Sequence, residues 1–145
     1  MACTGTDYCT LAQIETKTQA VQLSQALEQR LGTGLKAISI HWSGCPAGCG
    51  NHQAADIGIR GLRANINGEI VDAVAIYAGG RTGPDAVVGE QVMGVVPIND
   101  ELPDLVASVI QHRGLVQLRP LPPNIPPRCI QQPTPPQSAP SRTGP

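Results

Sequence analysis

Ten residues, His41-Trp42-Ser43-Gly44-Cys45-Pro46-Ala47-Gly48-Cys49-Gly50, constrain this chain more than any other stretch. Three glycines and a proline make the run unfit for a helix or a strand, so it must be a tight loop. Such a loop can aim backbone N–H groups and two sulfurs, Cys45 and Cys49, at a common object. Cys3 and Cys9 form a second pair near the N-terminus, and Cys129 stands apart in a proline-rich tail. The question for the fold is what the first four cysteines hold.

Composition narrows the answer. The 145 residues suffice for one domain with a modest core. With no Phe, one Trp and two Tyr, that core must be built from Val, Ile, Leu and Ala. Ten Lys and Arg against eleven Asp and Glu leave a net charge of −1, which argues against the clustered basic footprint of a nucleic-acid or anionic-membrane binder. No apolar run approaches the roughly 18 residues of a membrane span. The first residues lack the basic and apolar regions of a secretory signal, so the expected location is cytoplasmic. In that reducing setting clustered cysteines point to metal binding or catalysis rather than to disulfides. A candidate ligand only two positions from Met1 also suggests one piece of something larger.

Thr10-Leu-Ala-Gln13 fits a capping box, and the following residues have few β-branched side chains and no Pro or Gly. A helix is predicted over 10–31, with Ala20, Val21, Leu23, Leu27 and Leu31 on its buried face and Gly32 and Gly34 ending it. Residues 35–42 alternate as a strand that delivers the chain into the cysteine loop, and 56–62 form a second strand. Asn-Gly within 65–68 marks a hairpin, and 69–78 a third strand. A glycine loop over 79–84 leads to a short helix at 85–94. A final helix spans 100–113, with Pro103 tolerated in its first turn and Leu102, Leu105, Val106, Val109 and Ile110 buried. The expected fold is α/β, a small mixed sheet packed by helices, occupying residues 1–118. In residues 119–145 ten positions are Pro, a composition expected to stay disordered. Pro122–Pro127 resembles a polyproline II ligand only by composition, and Cys129 is read as irrelevant to any metal.

The cysteine pattern is C-x5-C, a long gap, then C-x3-C. Isolated small thiols are one reading, since free cysteine packs like a small hydrophobe. A structural zinc is a second; its paired ligands usually lie two to four residues apart, which C-x3-C meets and C-x5-C does not. An iron–sulfur cluster is a third, because four thiolates around a larger body tolerate wider spacings. Spacing alone leaves zinc and cluster open.

The surrounding residues carry a resemblance. Ala2-Cys-Thr-Gly-Thr-Asp-Tyr-Cys9, followed by Ile14-Glu-Thr-Lys17, resembles the first cluster-binding motif of ferredoxin-dependent nitrite reductases. Ser43-Gly-Cys-Pro-Ala-Gly-Cys-Gly50, running into Ala55-Asp-Ile-Gly58, resembles the second, and Ala78-Gly-Gly-Arg-Thr-Gly83 matches in order and position. Gly50-Asn51-His52-Gln53 is similar to the nitrite branch rather than the sulfite branch of the wider sirohaem family. The resemblance covers about residues 2–114. It implies a 4Fe-4S cluster on Cys3, Cys9, Cys45 and Cys49, with Cys49 also bridging to a sirohaem. It implies ferredoxin as electron donor and reduction of nitrite to ammonium. One departure is Ala47, where the family commonly has Asn and its amide. The larger departure is that family enzymes carry long segments before the first motif, with most of the Arg and Lys that hold the acidic sirohaem.

Arg60, Arg63 and Arg81 are the cations left near the motifs, with Arg81 best placed to meet an anion and the other two read as solvated. His41 and His52 are read as packing or hydrogen-bonding residues. The resulting expectation is the cluster and sirohaem domain of an assimilatory nitrite reductase, inactive until a separate chain supplies the missing N-terminal half. A non-catalytic 4Fe-4S electron-transfer or sensing protein, a sulfite reductase fragment and a truncated gene product are the alternatives.

Overall fold

The computed structural model of the protein describes residues 1–32 and 38–115. The expected helix stop at Gly34, the start of the strand at 35–37, and the proline-rich segment with Cys129 lie outside the described residues.

The expected α/β architecture is present: helix α1 (Lys17–Leu31), strands β1 (Ile40–Ser43), β2 (Ile57–Ile66), β3 (Glu69–Ala78) and β4 (Glu90–Pro97), and helix α2 (Leu102–His112). The sheet runs β1-β2-β3-β4, with β1 parallel to β2 and the other two pairings antiparallel. Strand β3 has the boundaries its sequence predicts, because the Asn-Gly turn fixes its start. Asn67 and Gly68 sit at φ 56° and 90°, the two positive values a tight two-residue hairpin turn needs. Ile66 therefore faces Glu69, the first of ten pairs that run in register to Ile57 and Ala78.

Two expectations fail. The predicted helix at 85–94 is instead an extended approach to β4. Its residues Val87, Val88 and Val92 are β-branched, and Gly89 and Gly94 disfavour a helix. The first helix begins at Lys17, not at residue 10. Residues 10–16 form an arm of turns and bends held by contacts far away in sequence: Gln13 N–H donates to Gly44 O at 2.8 Å, and Ile14 and Thr16 are fully buried. Tertiary burial thus overrides the local capping signal of Thr10 and Gln13. The cap that does form is a carboxylate: Glu15 accepts the N–H groups of Lys17, Thr18 (3.0 Å) and Gln19 (3.2 Å). On the predicted helix face Leu23 and Leu27 are buried, but Val21 is 56% exposed.

The sheet is covered on one face. Alternate residues Ile57 and Ile59 of β2, Val74, Ile76 and Ala78 of β3, and Val96 of β4 meet Leu23 and Leu27 of α1 and Leu102, Val106, Val109 and Ile110 of α2. Each such fully buried aliphatic side chain contributes about 1.5–3 kcal/mol relative to exposure. Arg30 of α1 and Asp104 of α2 join the helices at 2.6 Å. By the two-residue period the other face carries Ser43, Gly58, Arg60, Ala75 and Tyr77. The cysteine loop leaves β1 at the edge of the sheet, beside this second face.

Candidate metal centre

Backbone pairing brings the two cysteine motifs together. Trp42 N–H donates to Met1 O at 2.8 Å, and Cys3 N–H to Trp42 O at 3.0 Å, so residues 1–3 lie parallel to the end of β1. Cys3 Sγ then accepts the Gly44 N–H at 3.1 Å. After a turn in which Gly5 O accepts the N–H groups of Tyr8 (3.4 Å) and Cys9 (3.1 Å), the chain comes back along the loop, where Gln13 is bound to Gly44. Forty-one positions separate Cys3 and Gly44, yet they share a hydrogen bond.

The loop is supported from beneath by a buried polar group. Ser43 Oγ accepts the Gly50 N–H at 3.1 Å and lies 2.9 Å from His52 Nδ1. With one N–H already donated to the hydroxyl oxygen, the simplest pairing has the Ser43 O–H donating to an unprotonated Nδ1. His52 is buried, packs edge-on to Tyr77 with ring centroids 4.8 Å apart, and is held neutral: burial lowers its pKa below the ordinary 6.5, and the Arg60 guanidinium adds to this. Two glycines make the close packing feasible. A Cβ on Gly50 would fall 1.8 Å from Trp42 O, and one on Gly58 would fall 1.7 Å from His52 O. The strand, the loop and the 3-10 turn at His52–Ala54 are therefore stacked with no room for side chains between them.

Of the four predicted ligands, Cys45 is buried, Cys3 and Cys9 are half-buried and Cys49 is exposed; all are free thiols. Among the described residues no three His, Cys, Asp or Glu side chains converge closely enough to hold one metal ion. The two loops are nonetheless joined directly, through the Gly44 N–H on Cys3 Sγ and the Gln13 N–H on Gly44 O.

Arg81 is brought to the opposite flank of the same loop. A cavity of about 500 Å³ is walled by Pro46, Ala47 and His52 on one side and Arg81, Thr82 and Val88 on the other. Arg81 and Val87 exchange backbone hydrogen bonds of 2.9 Å each way, and Gly89 N–H donates to Gln53 O at 2.7 Å, tying this loop to the 3-10 turn. Arg81 Nε donates to Asp85 O at 3.0 Å. The other two arginines face other groups, and the buried Nε of Arg60 has no hydrogen-bond partner among the described residues. Arg63 pairs with Asp72 at 3.4 Å and donates to Gln13 O. Arg60 is half-buried with its guanidinium 5.6 Å from the Tyr77 ring centroid, rather than solvated. His41 Nδ1 lies 3.0 Å from Asn51 O, so both loop histidines are engaged in hydrogen bonds.

The support residues Thr16 and Ser43 fall inside the quoted motifs without being singled out there, and Tyr77 lies outside them. Thr16 and Ser43 are buried polar side chains, but their partners lie 13 and 7 or 9 positions away.

No family model matches the chain. It is 41% identical over 119 residues to the ferredoxin–nitrite reductase of Synechococcus elongatus, covering 82% of this chain and 23% of the relative. It is 38% identical over 117 residues to the chloroplastic ferredoxin–nitrite reductase of Zea mays, covering 80% and 20%. It is also 38% identical over 113 residues to the assimilatory ferredoxin-dependent nitrite reductase of Haloferax mediterranei, covering 77% and 19%. The solved structure of the Mycobacterium tuberculosis NirA protein superimposes with a TM-score of 0.67 at 34% identity, over 77% of this chain and 21% of that one. In sequence and in fold, then, this chain is a homologue of one segment of the ferredoxin–nitrite reductases, a segment amounting to about a fifth of their length.

Proposed function

We propose that this segment holds a 4Fe-4S cluster on Cys3, Cys9, Cys45 and Cys49, with Cys49 shared with a sirohaem, in a nitrite reductase that draws electrons from ferredoxin. The observation that carries this reading is the direct joining of the two cysteine motifs, Gly44 N–H on Cys3 Sγ across 41 positions. The donor set suits the group: four unpaired thiols on two loops, one of them already accepting an N–H.

Held by these four cysteines, the cluster and sirohaem would supply the electron transfer and iron chemistry for the reduction of nitrite to ammonium. The chain's own residues do the rest. Cys49, exposed at the rim, is free to share its thiolate, and Ser43 and His52 hold the loop that carries it. Arg81 offers one guanidinium to a carboxylate of the acidic macrocycle or to the substrate anion. That is a partial fit for sirohaem, because Arg60 and Arg63 are turned to Tyr77 and Asp72. Further cations must come from outside this segment. The relatives carry the remainder of their length on the same polypeptide, which gives no support to a separate complementing chain. Nitrite rather than sulfite as substrate rests on Gly50-Asn51-His52-Gln53. The proposed domain spans residues 1–118, with 119–145 a separate proline-rich segment. Free thiols and a cluster suit a reducing compartment, and the cytoplasm is the location proposed.

The test is the optical spectrum of the full chain purified anaerobically, with nitrite turnover measured beside it. The expected result is broad cluster absorbance, sirohaem bands on addition of the macrocycle, and no ammonium formation by this segment alone. A cluster that never takes up sirohaem supports a non-catalytic electron-transfer or sensing role instead. A colourless, zinc-containing protein contradicts both.

A further inference from the structure

Thr16 occupies the N-cap position of α1 but does not cap it. The N-terminal N–H groups go to Glu15, and the Thr16 hydroxyl turns the other way, donating to Cys3 O at 2.8 Å. Its Oγ1 lies 3.9 Å from Cys3 Sγ, and the residue is wholly buried. Everything around it is cut to its shape. A Cβ on Gly5 would fall 2.8 Å from Thr16 Oγ1, and one on Gly44 would fall 3.2 Å from Thr16 Cγ2. Thr16 therefore touches both cysteine motifs at once, and it fixes the Cys3 backbone at the point where Sγ meets the Gly44 N–H at 3.1 Å.

We propose that Thr16 is the positioning residue that holds Cys3 Sγ on the Gly44 N–H and thereby raises the reduction potential of the cluster. This rests on the cluster reading above. An N–H aimed at a ligand sulfur stabilises the more negative, reduced cluster over the oxidised one, so hydrogen bonds to the sulfurs are one of the levers on potential. A part-buried Cys3 carbonyl without its donor would move to find another, taking the sulfur off the Gly44 N–H.

The experiment compares the full chain with Thr16→Val, Thr16→Ala and Thr16→Ser, each reconstituted anaerobically with iron and sulfide. Midpoint potential is read by spectroelectrochemistry, iron loss by transfer to a chelator, and stability of the metal-free chain by urea unfolding. Removal of the hydroxyl is expected to shift the midpoint to more negative values and speed iron loss about fivefold, the equivalent of one net hydrogen bond. Thr16→Ser, which keeps the hydroxyl, is expected to restore both. Thr16→Ala is read beside Thr16→Val so that a packing failure of one leaves the other decisive. Hydroxyl-less variants that lose stability yet match the wild type in potential overturn the inference alone. A wild-type chain that takes up no cluster overturns the cluster reading and this inference with it.

Discussion

Replacing Ser43 by Ala tests whether the polar group under the cysteine loop holds it in place. Ser43 is 1% exposed, and its Oγ satisfies two groups: the Gly50 N–H at 3.1 Å and His52 Nδ1 at 2.9 Å. Water cannot replace the hydroxyl readily, because Gly50 is packed against Trp42 O with no space for even a Cβ. An unsatisfied buried polar group costs about 1–3 kcal/mol. His52 can recover part of its share by a ring adjustment, so the expected loss is about 3 kcal/mol for the two groups together. With a urea slope of about 1.5 kcal/mol/M, that is a fall of about 2 M in the unfolding midpoint at unchanged slope. The assay is urea unfolding of the metal-free chain under reducing conditions, followed by tryptophan fluorescence, since Trp42 is the only Trp and precedes Ser43 directly. A double-mutant cycle with His52→Phe separates the two shares. Once the imidazole is gone, the further cost of Ser43→Ala should drop to the Gly50 share, about half. A single substitution costing less than about 0.5 kcal/mol, the range of an ordinary surface change, refutes the assignment. So does strict additivity of the pair.

Other consequences are open to measurement. Burial, with Arg60 second, holds the His52 pKa below its unfolded value, so the unfolded chain binds more protons in that window. Stability is therefore full above about pH 6.5 and declines below it, with a slope of up to about 1.4 kcal/mol per pH unit that His52→Phe should abolish in a pH series of urea midpoints. Burial pushes the Glu15 carboxyl up, but the N–H groups of Thr18, Gln19, Lys17 and Thr16 together outweigh it and hold it below its ordinary value. Its contribution is present above the usual carboxylate range and lost as pH falls through the folded value. Glu15→Gln should lose about 1 kcal/mol of cap energy at pH 7 and flatten that acid limb in thermal unfolding. Gly58→Ala puts a methyl 1.7 Å from His52 O, a backbone atom, and should remove the folded state or cost more than about 3 kcal/mol, read by circular dichroism. A soluble Gly58→Ala chain with wild-type stability would contradict the stacking described.

What is legible in the sequence is what is encoded locally. Strand β3 and its turn follow from alternation and from Asn67-Gly68, whose positive φ values select the hairpin. Helix α2 follows from Leu102, Val106, Val109 and Ile110 at helical spacing. Strand β4 is hidden because its alternation is broken: the pairing to β3 shifts between Val74 and Ile76 and again between Ile76 and Tyr77. A bulged strand loses the two-residue period that betrays it. Residues 10–16 mislead for the opposite reason, since a good local capping signal is overruled by the burial of Ile14 and Thr16. At the site, the cysteines stand out by residue type and motif. Ser43, His52, Arg60 and Tyr77 become one group only when β1, the 3-10 turn, β2 and β3 are folded together, a property of register that no short window contains.

Two cysteine pairs, one at each side of α1 in sequence, are proposed to serve a single cluster. The direct measurement is iron and acid-labile sulfide per chain after anaerobic purification, for the wild type and for Cys3→Ser, Cys9→Ser, Cys45→Ser, Cys49→Ser and Cys129→Ser. About four of each are expected per wild-type chain, the same for the Cys129 variant, and loss of the intact cluster for each of the other four. Zinc in place of iron, or a cluster that survives loss of either pair, would rule the shared cluster out.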